Sequence, residues 1–342
     1  MRAPLLVAAL LASALLARPA EALDETDPHA AIVGSHTTAG IIAIAPGDEP
    51  SDAHPAGTVY VAMSDRTKGP CVLEWDVAAK TELRRVRLGL PPRPYINVDV
   101  VRSGERLFVA ISQASDGPLH LVVLDRALRR KAYRRIADAY TPALLPRGDG
   151  VLVASRRGWG DELRVDVRLL DAALRPGPTT TLVPGASRSW STAWHDMDLA
   201  ASEHAIALRL PDQSLVRLAL EGDAVKVVAQ TTELRALSLA ARPDGFVIGT
   251  KGARVELDEA FLERGSRSFE WARPLRVSPN GDVAMATVWY RGDERVCGVP
   301  AYDALVAPAV FVGGHMVAIS TSLGGTVALG WCGPDDRANA AP

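Results

Sequence analysis

The densest run of chemistry-bearing side chains is Trp194-His195-Asp196-Met197-Asp198. On a β-strand successive side chains point to opposite faces, so Trp194, Asp196 and Asp198 would share one face and His195 the other. Two carboxylates on one face make part of a calcium site, because Ca²⁺ collects roughly six to eight oxygen ligands. Asn97, Asp99, Glu233 and Glu270 are the oxygen donors elsewhere that could complete it. A second set is aromatic and cationic: Tyr95, Tyr140, Trp190, Trp194 and Trp271, accompanied by Arg93, Arg235 and Arg273. Rings and guanidinium groups hold sugars, peptides or acidic groups by stacking and by bidentate hydrogen bonds. The local strings of common enzymes are missing: there is no G-x-S-x-G, H-E-x-x-H, P-loop or G-x-G-x-x-G. That weakens an α/β serine hydrolase, a zincin and a nucleotide enzyme. It leaves open a site built from single residues far apart in the chain.

The elements that would have to gather such residues repeat. Seven apolar alternating segments follow a Gly or acidic turn: 58–64 (TVYVAMS), 106–112 (RLFVAIS), 150–156 (GVLVASR), 204–210 (HAIALRL), 245–251 (GFVIGTK), 282–288 (DVAMATV) and 315–321 (HMVAIST). Their spacing averages about 43 residues, the period of a four-stranded propeller blade. A second signature, an apolar strand ending in an acidic turn, recurs as LDRALRR at 124–130, LDAALRP at 170–176 and LDEAFLER at 257–264. The Asp in each can cap its turn by accepting backbone N–H groups.

These repeats predict an all-β fold, a single β-propeller of seven four-stranded blades, with six or eight as alternatives. The last unit supplies three strands, so 30–35 (AAIVGS) is expected to return from the N-terminal side as its outer strand and close the ring, leaving no open edge. In such a ring the aromatic and arginine set falls in the linkers that open the innermost strands, at the channel mouth.

The turns Ala241-Arg242-Pro243-Asp244-Gly245 and Ser278-Pro279-Asn280-Gly281 resemble the S-P-D-G turn of bacterial secreted β-propellers with degenerate WD40-like or PD40-like blades. Trp75-Asp76 is the one W-D pair. The resemblance implies a non-catalytic module that binds a protein, peptide or glycan. One alternative, similar in outline to propeller lactonases, is a Ca²⁺-dependent hydrolase using Asp196, Asp198, Asn97 and Asp99. Another is a structural scaffold in a cell-envelope assembly. The binding reading requires no cofactor and expects a monomer.

Composition bounds the partners and the compartment. Hydrophobic residues make up 48% of the 342 and charged residues 23%, which suits a folded core rather than disorder. With 38 basic and 40 acidic residues the net charge is −2, too low for a protein that grips nucleic acid through its phosphates. Residues 1–22 read as a secretory leader: Arg2, an apolar run at 5–17 and Ala20-Glu21-Ala22 as an A-x-A cleavage site. The propeller is expected over 23–333 and a frayed tail over 334–342. No membrane span is expected in the mature chain, which would be periplasmic or extracellular. Of three cysteines, Cys297 and Cys332 are the favoured disulfide partners because they are close in sequence; three buried thiols, with Cys71, are the alternative.

Overall fold

The computed structural model describes residues 30–35, 43–65, 68–92, 95–113, 117–185, 197–269, 275–285, 288–299, 305–306, 309–321 and 326–333. They form seven antiparallel sheets arranged as the blades of a β-propeller. Blades 1 to 6 take their four strands consecutively, over 43–87, 95–136, 140–182, 198–231, 238–268 and 275–298. Blade 7 is assembled from both ends of the ring. Its innermost strand is in two pieces, Leu305–Val306 and Val310–Val312, followed by His315–Thr321 and Thr326–Cys332. Its outer strand is Ala30–Ser35, which pairs antiparallel with Thr326–Cys332 from Ala30↔Gly330 to Ser35↔Thr326. The ring is therefore closed by the N-terminal strand, and the count is seven. Among the described residues no helix is long and apolar enough to cross a membrane.

Position within a blade explains each strand's composition. A middle strand has a neighbouring blade on both faces, so Gly69–Asp76 is buried at every residue. The outer strand Thr81–Arg87 (TELRRVR) lies at the rim, and only Leu83 and Val86 are half-buried. The core accordingly lies between blades. One cluster joins Val59, Val61 and Leu73 of blade 1 to Val317, Ile319 and Leu329 of blade 7, across the closure. Another joins Tyr60 and Val72 of blade 1 to Val109 and Val122 of blade 2.

The repeated LD turns act as wedges in these seams. Asp125, Asp171 and Asp258 each accept backbone N–H bonds within the turn, from Arg129, from Ala173 and Arg175, and from Ala260 and Leu262, all at 2.8–2.9 Å. Three residues after each Asp the backbone turns left-handed, at Leu128 (φ 57°), Leu174 (φ 62°) and Phe261 (φ 68°). A left-handed conformation costs a side-chain-bearing residue roughly 1–2 kcal/mol. Burial of such a side chain contributes about 1.5–3 kcal/mol and offsets it. Leu128 and Leu174 are each buried among residues of the preceding blade, and Phe261 likewise. Gly150 and Gly245, which open the second strands of blades 3 and 5, answer a different constraint: an added Cβ would collide with the carbonyl oxygens of Leu170 and Leu257.

One local expectation fails. Residues 45–57 read as a single exposed loop, yet Ala43–Pro46 is the innermost strand of blade 1. The strand is only four residues long, too short for alternation to mark it; its place comes from pairing with 59–62.

Candidate functional site

All seven innermost strands contribute to a central cavity of about 440 Å³. Two of its carboxylates occupy the same place in the repeat. Asp99 in blade 2 and Asp198 in blade 4 each lie four residues before the residue that opens the hairpin turn, Ser103 and Ser202. Each reaches to the next blade's inner strand. Asp99 Oδ2 accepts from the Leu144 N–H at 2.7 Å, and Asp198 Oδ2 from the Leu239 N–H at 3.2 Å. An innermost strand has no sheet partner on its channel side, so these carboxylates satisfy N–H groups that water or a ligand would otherwise have to meet. Asp99 Oδ1 also accepts from the Val100 N–H at 2.8 Å. Burial pushes the Asp99 carboxyl up to about 6, opposed by its two backbone donors and by the Arg276 guanidinium. Asp198 is instead paired with Arg209 Nε at 2.7 Å, and Arg209 is buried.

Of the calcium set, Asp99 and Asp198 both line this cavity. Asn97 donates from Nδ2 to Ser112 Oγ at 3.3 Å, and the Asp99 and Asp198 oxygens already accept from protein donors. No group of three His, Cys, Asp or Glu side chains is placed to hold a metal among the described residues. Asp196 lies outside them.

The channel mouth is the end of the ring where inner strands begin and where second strands turn into third strands. Tyr140 opens the inner strand of blade 3 and is buried. Its hydroxyl donates to the Gly158 carbonyl. The strand is bulged between Tyr140 and Ala143, with Thr141 at φ 46° and its N–H bonded to Ser112 Oγ of blade 2 at 3.2 Å. A bulge re-aims the side chains beside it. Here Tyr140 stacks on Trp159, with ring centroids 5.1 Å apart and planes 15° from parallel. The Arg156 guanidinium lies 5.3 Å from the Tyr140 centroid and 5.4 Å from that of Trp159. Trp159 keeps 43% of its surface in solvent. The result is an indole plane held from below by a buried ring and from the side by a cation, with Asp161 and Glu162 exposed beside it.

Trp159 was not among the sequence candidates, because it sits between a second and a third strand rather than in a linker. Its signal was Gly158-Trp159-Gly160, a tryptophan between two glycines directly after a strand. Of the candidates, Tyr140 forms the base of this platform. Arg235 is exposed at the same end, on the linker into blade 5, with φ 40°. Tyr95 opens the inner strand of blade 2. Arg93, Trp190, Trp194, Trp271 and Arg273 lie outside the described residues.

Cys297, in the outer strand of blade 6, is joined by a disulfide to Cys332, at the end of the third strand of blade 7. Cys71 is buried in blade 1.

Fold and closure define a seven-bladed β-propeller. No protein-family model matches the chain, and no curated protein matches it in sequence. Among solved structures it is similar to a chain of the "Crystal Structure of Mitotic Checkpoint Complex", with a TM-score of 0.57 and 11% identity over 88% of this chain and 89% of that one. A chain of the Saccharomyces cerevisiae Sqt1 crystal structure gives a TM-score of 0.49 and 11% identity, over 87% and 97%. At these identities the likeness is one of fold.

Proposed function

We propose that this protein is an exported, non-catalytic binding module that holds a protein, peptide or glycan partner on the mouth of its propeller. The observation that carries this is the Trp159 platform: a large aromatic exposed at the ring's end and fixed in orientation by Tyr140 and Arg156. A pre-oriented ring loses little entropy on stacking. The propeller found within a multi-protein assembly, the mitotic checkpoint complex, supports a binding role for the same architecture. Export is supported by the leader sequence and by the Cys297–Cys332 disulfide, a bond that persists in oxidising compartments.

Immobilised mature protein screened against glycan and peptide arrays tests the reading. Trp159→Ala should weaken the retained ligand by roughly tenfold, the scale of about 1–2 kcal/mol for an aromatic or cation–π contact. Ligands held equally by Trp159→Ala, or no retained ligand, would refute it. Export is tested by the mass of the mature chain, expected to begin at Leu23.

A further inference from the structure

Four charged side chains line the central cavity: Asp99, Arg102, Asp198 and Arg276. Three are committed. Asp99 accepts two backbone N–H groups, Asp198 is paired with Arg209, and Arg102 pairs with Asp48 at 2.9 Å and donates to the Gly47 carbonyl. Arg276, on the inner strand of blade 6, differs. Among the described residues its one hydrogen bond runs from Nη1 to the adjacent Leu275 carbonyl at 2.9 Å, and it has no carboxylate partner. It is half-buried. Asp99 feels its charge but forms no ion pair with it.

Beside its charged residues the cavity is lined by apolar ones, including Ala45, Val101, Leu145, Leu199, Val310 and Phe311. A half-buried cation without an ion-pair partner is costly. Its planar fork matches a carboxylate in two parallel hydrogen bonds. The volume of about 440 Å³ falls within the range of small-molecule sites, roughly 300–1,000 Å³. Asp198 is neutralised by Arg209, and Asp99, whose carboxyl is pushed up to about 6, gives up its charge below that pH, where it no longer competes with an incoming anion.

We propose that the central channel binds a small apolar carboxylate, whose stem lies against the inner strands and whose carboxylate is anchored by Arg276. This site is separate from the Trp159 platform and stands without it.

Isothermal titration of the mature full chain with decanoate, below its micelle-forming concentration, tests this. One site per chain is expected, with decan-1-ol and decylammonium binding at least tenfold more weakly. Arg276→Gln, which keeps shape and removes charge, should lose about tenfold to a hundredfold in affinity, the scale of a hydrogen bond to a charged group. Arg276→Lys should retain an intermediate affinity, and Trp159→Ala should bind decanoate like the parent. Arg276 has no ion pair to lose, so Arg276→Lys should unfold at the parent's midpoint and Arg276→Gln, which removes an unpaired charge, at or above it. Absence of saturable decanoate binding, equal affinity in Arg276→Gln, or equal affinity for decan-1-ol would overturn the proposal. Loss in Trp159→Ala alone would move the site to the mouth and overturn it as well.

Discussion

Removing the disulfide should loosen the ring at its closure. Cys297 and Cys332 are 35 residues apart and bridge the outer strand of blade 6 to the third strand of blade 7. That third strand also carries the closing strand Ala30–Ser35. Both cysteines are buried in the seam with Trp289, Val296 and Met316. A cross-link closing a loop of this length lowers the entropy of the unfolded chain by an amount worth ~4 kcal/mol. In the double variant Cys297→Ala, Cys332→Ala the seam also loses two sulfur atoms, on the order of 1 kcal/mol of packing. The expected loss is therefore about 4–5 kcal/mol, read as a lower urea midpoint with a slope no shallower than the parent's, since the chain without its cross-link exposes more surface on unfolding. Amide exchange should rise first in 30–35 and 326–332, because these strands lose their tether to blade 6. Thiol counting comes first: denatured, unreduced protein should expose one reactive thiol, Cys71, and reduced protein three. Three reactive thiols before reduction, or a double variant with the parent's midpoint, would refute the reasoning.

Leu174→Ala keeps the left-handed strain of its turn while removing the wedge, so it should cost about 2–4 kcal/mol in chemical denaturation; a cost below about 1 kcal/mol would show that the turn does not brace the seam. Arg209→Met leaves Asp198 as a partly buried charge without its guanidinium, and a loss of roughly 3 kcal/mol is expected; an unchanged midpoint would count against the ion pair. Asp99 has a raised folded-state pKa of about 6 against an ordinary 3.8, so the folded state holds its proton more tightly than the unfolded chain. Its stabilisation is full below pH 4 and is lost as pH rises through about 6, on the order of 3 kcal/mol in all. Parent-minus-Asp99→Asn stability, measured from pH 4 to 7.5, should fall across that window; a flat difference would refute the assignment. Asp125 runs the other way: the Arg129 N–H holds its carboxyl down at about 2, so its contribution is present above pH 4 and lost only as pH falls toward 2. Asp125→Ala should remove that acid limb from the unfolding curve.

The blade period was legible because it is a local property repeated along the chain. Alternating runs such as RLFVAIS and GVLVASR mark second strands, and the LD turns mark where third strands end, with the Asp caps and buried wedges that those residue types can supply. Closure was legible for a counting reason: a final unit with three strands needs a fourth, and AAIVGS was the segment left to provide it. Ala43–Pro46 was not legible, since four residues are too few for alternation to show and pairing with 59–62 decides their place.

The chemistry at the ring's centre belongs to tertiary structure alone. Asp99 and Leu144 are 45 residues apart, and their bond exists because adjacent blades align equivalent positions of the repeat. No local pattern separates Arg276, which has no carboxylate partner among the described residues, from Arg209, whose charge Asp198 matches. Nor does the sequence say that Tyr140 would lie beneath Trp159; a bulge at Thr141 and the close return of Gly158 decide it. Hydrophobic alternation fixes which residues face a neighbouring blade. Radial closure fixes which polar residues meet in the channel, because only the closed ring brings seven distant strand ends to one axis.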